Sequence, residues 1–368
     1  MDSTGPFILS GCIETYPDQT AFSINSAHLF CGHDNRETSL LDERVGDYGE
    51  NDMSVHYWMG SWYVREKYPL RGKVESYVRS WIYSARKGPE YRPSVDSQIL
   101  QTPLKKISGK EEIAVLIPVR NAALFIGRCL ELLNKLDWPK SQLHVVFCEG
   151  DSVDDTVAIL DQMAKANNYG FASLRIIHRA VGTVFEQDRR WLSNIQKSRR
   201  GGLAQVRNHL IENALPPTAD WALWIDVDVN NYPPNVLRQL LAQNEKIVVP
   251  HCLRDDGSDK TYDLNSFATV YDWRDTYYFK HVVDGLYQPP QGCFRRVHLQ
   301  DVRYHERISL IGVGGSMLLV HGSVHRAGVC FPQLPYKDLI ETEAFGQLAR
   351  DFGVTPVGLP NLLITHPV

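Results

Sequence analysis

Between Ile113 and Pro250, short unbroken apolar runs alternate with stretches of helical period, and that alternation confines the chain to an α/β fold. Ile113-Ala-Val-Leu-Ile-Pro118 is apolar throughout, as in a strand buried on both faces. Leu143 to Glu149, Ser173 to His178, Trp221 to Ile225 and Lys246 to Pro250 read as further strands. Helical spacing is expected over Ala122 to Leu136, Val153 to Ala166, Leu203 to Asn213 and Asn235 to Asn244. The second of these would carry Asp154 and Asp155 in its first turn, where the helix dipole favours acids. The third stops before Pro216-Pro217. Strands separated by helices build a central sheet, mixed but mainly parallel, with helices on both faces. Ligands of such sheets bind at the carboxyl ends of the strands.

Composition narrows the class further. With 43% hydrophobic and 22% charged residues, the 368-residue chain is neither fibrous nor disordered. A formal net charge of −4 offers no electrostatic grip on nucleic acid or anionic membrane. The uncharged run from Ile308 to Val320 is too short for a bilayer span, which takes about 20 apolar residues. The start, Met-Asp-Ser-Thr-Gly, lacks a basic n-region and a long apolar h-region, so no signal peptide or anchor is expected, and the expected location is cytoplasmic or soluble. Seven cysteines form no CxxC pair and no Asn-x-Ser/Thr sequon occurs, which favours a reducing compartment. Cys129 and Cys148 lie in periodic apolar segments and read as buried small hydrophobes.

Two parts are expected. Residues 1–108 form an N-terminal extension of unassigned role, in which Val74, Tyr77, Val78, Trp81 and Ile82 share one helix face; it ends in a polar linker from Pro93 to Lys110. Residues 109–368 form the α/β domain.

Trp224-Ile-Asp-Val-Asp228 carries the chemistry. Alternate side chains of a strand share a face, so Trp224, Asp226 and Asp228 point one way, and Leu223, Ile225 and Val227 the other. Two carboxylates at the end of a buried strand supply hard oxygen ligands for Mg²⁺ or Mn²⁺ bridged to a diphosphate. Asp151-Ser-Val-Asp-Asp155, after the second strand, is a second acidic group at the same edge. It suits the base or ribose of a nucleotide, or simple helix capping.

The segment from Arg207 to His366 resembles the fungal Golgi mannosyltransferases of the mannan-polymerase type, glycosyltransferase family 62. The resemblance rests on Arg207-Asn208, Trp221 to Asp228, Tyr262-Asp-Leu-Asn265, Val313-Gly-Gly-Ser316, Val324-His-Arg326, Phe331-Pro332, Ile340-Glu-Thr-Glu343, Gly358-Leu-Pro-Asn361 and Thr365-His366, in that order. It implies a GT-A, Rossmann-like glycosyltransferase fold and retaining transfer of mannose from GDP-mannose to a glycan acceptor, with Mn²⁺ as the metal. It also implies that Asp226, Asp228 and His366 bind the metal and that Arg207 lies near the donor diphosphate. Ile117 to Asn121 and Glu149 to Asp154 are similar to the opening nucleotide-binding strands of many GT-A enzymes, which puts Pro118 and Asp151 with Arg207 and Asp226 on the donor side. A Golgi location and a homo- or hetero-oligomeric state fit the same family. Ile311 stands where the family has an acidic residue, and the family's membrane anchor is not seen.

Residue types agree with these roles. A neutral imidazole is an acceptable Mn²⁺ ligand. An arginine fork suits phosphate oxygens, and Arg207 falls near an expected helix start after Arg199-Arg-Gly-Gly202. Gly314 and Gly315 allow close backbone approach, and with Tyr262, Asp263 and Glu343 they are read as the acceptor or sugar side. On a helix starting near Ile340, Glu341 shares its face with Phe345, Leu348 and Phe352 and points inward, whereas Glu343 shares its face with Gln347 and Arg350 and points outward. Glu341 is therefore the catalytic candidate beside Arg207. Two rival readings are a GT-A enzyme using another GDP- or UDP-sugar and a degenerate, non-catalytic transferase subunit.

Overall fold

The computed structural model describes residues 89–166, 169–182, 193–269, 282–283, 285–287 and 296–367. The helix face read at 74–86 lies outside the described residues. Contacts divide the chain into two units. The one that carries the sheet comprises Pro89–Ala268, Asp284–Leu286 and Val297–Val368; the other comprises Met1–Gly88, Thr269–Val283 and Tyr287–Arg296. Only the first is followed here.

Its elements run α1 (Ser97–Gln101), β1 (Ile113–Val119), α2 (Ile126–Lys135), β2 (Leu143–Glu149), α3 (Thr156–Ala166), β3 (Ser173–His178), α4 (Ser193–Ala214), β4 (Trp221–Ile225), α5 (Val236–Leu241), β5 (Ile247–Arg254), β6 (Phe267–Ala268), β7 (Val297–His298), β8 (Ile308–Ser309), β9 (Met317–His321), α6 (Gly322–Arg326), α7 (Glu341–Asp351) and β10 (Val357–His366). Eight strands form the central sheet in the order β8-β10-β5-β9-β4-β1-β2-β3. β1 pairs in parallel with β2 and β4, β2 with β3, and β5 with β10. β9 is antiparallel to both β4 and β5. The expected α/β class with a mixed, mainly parallel sheet is thus the observed one.

This topology positions the site. Because β9 is the one reversed strand between β4 and β5, strands β1 to β5 and β10 all run the same way. Their carboxyl ends, and the amino end of β9, lie along one edge. Two apolar layers cover the sheet. Leu223 and Ile225 of β4 face a core built with α2, α3 and α5, while Ala222 and Trp224 face one built with α4, α6 and α7. The strict alternation in β4 is the period-two pattern of its sequence.

Several elements differ from the pattern-based expectation. Helix α4 begins ten residues earlier than its apolar spacing suggests, so Arg207 lies in mid-helix. Gly201 and Gly202, which look like a break, are inside it. A Cβ at Gly201 would stand 2.8 Å from the Gln333 carbonyl oxygen, so close approach outweighs the helix cost of glycine, about 0.5–1 kcal/mol. Helix α3 starts at Thr156, with no acid in its first turn; Asp154 precedes it and accepts the Thr156 amide at 3.1 Å. β5 continues to Arg254, and α5 is shorter than expected.

Candidate functional site

β4 ends at Ile225, and the chain then turns along the sheet edge. The Asp226 amide donates to the Ser316 carbonyl at 3.0 Å, and the Val229 amide closes a turn on the Asp226 carbonyl at 3.1 Å. The segment crosses over β9 and β5, about 14 Å at ordinary strand spacing. It docks on β10, where the Asn230 amide donates to Thr365 at 2.8 Å and the Thr365 amide to Asn231 at 2.9 Å. This crossing separates the two aspartates, which the strand pattern alone would aim together. Asp226 stays over β4, and Asp228 is carried to the end of β10.

There His366 Nε2 lies 3.0 Å from Asp228 Oδ1. The ring's other nitrogen, Nδ1, is bonded to the Pro367 carbonyl and so carries the proton. In the neutral ring Nε2 is then a bare lone pair, and a carboxylate beside it calls for a proton or a cation between them. Two neighbouring ligands of an octahedral cation with bonds of 2.0–2.1 Å are also about 3 Å apart. The Tyr262 ring stacks on the imidazole at 3.7 Å between centroids and 11° between planes, which fixes its orientation. Burial acts to lower the His366 pKa, but the hydrogen bond and charge of Asp228 outweigh it and hold it raised. Burial, reinforced by the charges of Asp228, Asp226 and Asp263, pushes the Tyr262 phenol up to about 12. Burial also raises Asp226; Arg207 opposes this, while Asp228, Asp263 and Glu341 add to it. Among the described residues no three His, Cys, Asp or Glu side chains stand as a ready-made metal cage. Asp228 Oδ1 and His366 Nε2 are spaced as two adjacent ligands of a cation would be, and Asp226 Oδ1 is turned to Arg207.

Arg207 is 1% exposed and its guanidinium lies against the paired rings of Trp224 and Phe331, 5.6 and 5.4 Å from their centroids. Its NH2 donates to Asp226 Oδ1 at 2.9 Å, and its Nε is 2.9 Å from Glu341 Oε1. It therefore supports Asp226 from below instead of facing open space. Glu341 Oε2 accepts the Thr342 hydroxyl at 3.0 Å and faces Arg200 Nε at 3.6 Å. At 3% exposure Glu341 is the ion-pair partner of two arginines, its Oε1 close to Arg207 Nε but in no hydrogen bond. Glu341 points inward as expected; Glu343 does not point outward. It is 5% exposed, with Oε1 3.6 Å from Arg200 NH1. The helical period failed here because α4 covers the first turns of α7, so both faces of that helix meet protein; Gln347 is buried for the same reason. Arg200 is the site residue that sequence reasoning missed. Its signal was a spacing of two helical turns from Arg207, hidden by the glycine pair.

The glycines before β9 admit side chains. A Cβ at Gly314 would lie 2.0 Å from Asp263 Oδ2, and one at Gly315 would lie 2.4 Å from Arg207 NH2. Asp263 Oδ2 accepts the Ser316 amide and hydroxyl, each at 3.1 Å. Asp226, Asp228, His366, Tyr262, Asp263, Gly314, Gly315, Arg207, Glu341 and Glu343 thus gather at one end of the edge. Pro118 is on β1, the strand next to β4, where the pairing of Leu116 with Trp224 brings it level with Asp226, and Asp151 lies one strand further along, after β2. Pro118 is buried in β1 opposite Cys148. Asp151, left-handed at φ +59°, accepts the amides of Val181 and Gly182 at 2.6 and 2.9 Å, and these bonds lower its pKa.

A model of the Anp1 family matches residues 94–335. The mannan polymerase II complex anp1 subunit of Schizosaccharomyces pombe is 30% identical over 278 residues, which covers 70% of this chain and 64% of that protein. The mannan polymerase complex subunit mnn9 of the same organism is 30% identical over 280 residues, which covers 71% of this chain and 81% of that protein. The chain therefore spans less than two thirds of the first relative's length. Among solved structures, the mannosyltransferase PcManGT from Pyrobaculum calidifontis in complex with GDP-Man and Mn²⁺ is similar at a TM-score of 0.41 and 14% identity, over 79% of this chain and 64% of that one.

Proposed function

The chain belongs to the Anp1 family, and on that premise we propose that it is a metal-dependent GT-A glycosyltransferase that transfers mannose from GDP-mannose to a glycan acceptor with retention of configuration. Its relatives are named as subunits of mannan polymerase complexes, which supports mannosyl transfer, work within a hetero-oligomer and a Golgi setting. The observation that carries the reading is the approach of His366 Nε2 to Asp228 Oδ1 at 3.0 Å, with the other ring nitrogen committed to a carbonyl.

Asp226, Asp228 and His366 would hold Mn²⁺ or Mg²⁺, a donor set of carboxylates and imidazole that suits either ion. Bound there, the cation would supply charge neutralisation for the departing diphosphate. The chain's own residues do the rest. Arg207 holds the Asp226 carboxylate in place and offsets its charge. Glu341 anchors Arg207, so the network is preorganised before the donor arrives. Tyr262, 38% exposed, offers a ring face beside His366 for a sugar, and Asp263 and Glu343 line the acceptor side at greater depth. Pro118 and Asp151 border the nucleotide over β1 and β2. An acceptor hydroxyl approaches on the leaving-group side, and a phosphate oxygen of the leaving group takes its proton. This route needs no protein nucleophile, in keeping with the ion pairs that hold Glu341 between Arg207 and Arg200.

The test compares Mn²⁺-dependent turnover of GDP-mannose with that of other GDP- and UDP-sugars. Turnover of GDP-mannose in preference to the others, lost in Asp228→Asn, is expected. Preference for another donor removes mannose, and no turnover of any donor removes catalysis.

A further inference from the structure

Arg200 lies two turns before Arg207 on α4, with a side chain 14% exposed. Its guanidinium reaches three acceptors at the start of α7. NH2 donates to the Ile340 carbonyl at 2.9 Å, Nε is 3.6 Å from Glu341 Oε2, and NH1 is 3.6 Å from Glu343 Oε1. That junction is under strain. Ile340 gives the helix no side-chain cap, and Glu341 stands left-handed at φ +56°. Such a conformation costs a non-glycine residue on the order of 1–3 kcal/mol and persists only where the surroundings over-determine it. The Glu341 amide is tied to the Pro332 carbonyl at 3.1 Å, its carboxylate meets Arg207 and the Thr342 hydroxyl, and Arg200 adds ties to Ile340, Glu341 and Glu343 together. A planar fork with five spread donors spans three separated acceptors better than a compact lysine ammonium, whose three donors share one nitrogen.

We propose that Arg200 is a positioning residue of the site. It fixes Glu341, Glu341 fixes Arg207, and Arg207 fixes Asp226. Arg200 itself touches none of the residues assigned to the metal. Without its charge, the buried glutamates lose one counter-charge and draw Arg207 away from Asp226. The functional half of this inference rests on the donor-site reading above, and the structural half stands without it.

Two measurements on the full chain test it, with Arg200→Gln, Glu341→Gln, the double variant and Arg200→Lys. The first is amide hydrogen exchange by mass spectrometry. Arg200→Gln should speed exchange at the first turn of α7 and leave β1 and β2 unchanged, with a smaller effect in Arg200→Lys. The second is Mn²⁺ affinity by titration calorimetry. Each single variant should weaken it about tenfold, as loss of an outer-shell partner does, and the double should be no weaker than either. Arg200→Lys should restore part of the loss. Unchanged exchange at α7 in a folded variant overturns the proposal, as do single losses that multiply in the double. If Arg200→Gln does not fold, the Arg200→Lys exchange pattern decides. If the wild-type chain takes up no Mn²⁺, the donor-site reading falls, and the exchange result still judges Arg200.

Discussion

Over β1 and β2, the carboxylates at the sheet edge accept hydrogen bonds chiefly from backbone amides. Asp151 holds Val181 and Gly182, Asp154 holds Ala123 and Thr156, and Glu149 holds Ser152. Over β4 and β10, the carboxylates meet cationic side chains and an imidazole: Asp226 with Arg207, Glu341 with Arg207 and Arg200, and Asp228 with His366. Acids at one sheet edge thus do two kinds of work. The first group ties loops together through partly solvated bonds, most of them from backbone amides, with Glu149 also 3.1 Å from His178 Nδ1. The second is a network of opposing charges in which the arginines and glutamates are packed out of water and the two aspartates reach solvent, so that removing an arginine strands buried acids. Location at the edge does not separate the two; the neighbours do.

The contrast breaks first, if it breaks, at Arg207. Arg207→Met leaves Asp226 and Glu341 short of their counter-charge and should cost about 3–5 kcal/mol in urea unfolding. A loss below about 1 kcal/mol would mean that the network is loose. Next comes Asp228→Asn, at a side chain 34% exposed. It should leave the unfolding midpoint nearly unchanged and lower GDP-mannose turnover by roughly 10²–10³-fold, the scale of losing one preorganised electrostatic contact. Equal losses of stability and turnover would make it a structural residue instead.

The core beneath the arginine side should be sensitive to acid. His325 accepts the Trp224 indole N–H at 3.1 Å, and burial lowers its pKa to about 4, with the Val329 carbonyl opposing. The unfolded chain takes up this proton near its ordinary value of about 6.5, and the folded chain does so only near the lower value. Stability is therefore level above the upper value and falls as pH drops between the two, by on the order of 3 kcal/mol. Unfolding midpoints of wild type and His325→Gln at pH 7.5 and 4.5 should show a steeper decline for wild type; parallel declines would contradict it. The smallest effect belongs to the loop side. Asp154→Ala removes a cap of α3 and should cost about 1 kcal/mol with turnover kept.

Much of this architecture was legible in the sequence. The strands at Leu143–Glu149 and Trp221–Ile225 fall where their apolar runs place them, because a strand buried on both faces leaves a pattern that neighbours do not alter; Ser173–His178, at the sheet edge with no fully buried residue, also falls where expected. Helix α4 was legible only in its second half. Gly201 is set by a tertiary contact with Gln333 that no local pattern records. β10 carries Gly358 and Pro360, which mask it as a strand. Glu343 was misplaced because helical period assumes one wet face, and α7 has none at its start. The partnership of Asp228 with His366 came from family resemblance, since residues so distant in the chain meet only through the order of β4, β9, β5 and β10. The divergence of Asp226 from Asp228 arises in the turn after β4 and has no signature in the alternating pattern.

Titrating Mn²⁺ into the wild-type chain with GDP present, and into His366→Asn, examines the edge most directly. Saturable uptake of one ion by wild type, lost in the variant while its unfolding midpoint holds, is the predicted result. Uptake of equal affinity in the two proteins would mean that the imidazole and the aspartates do not share a cation.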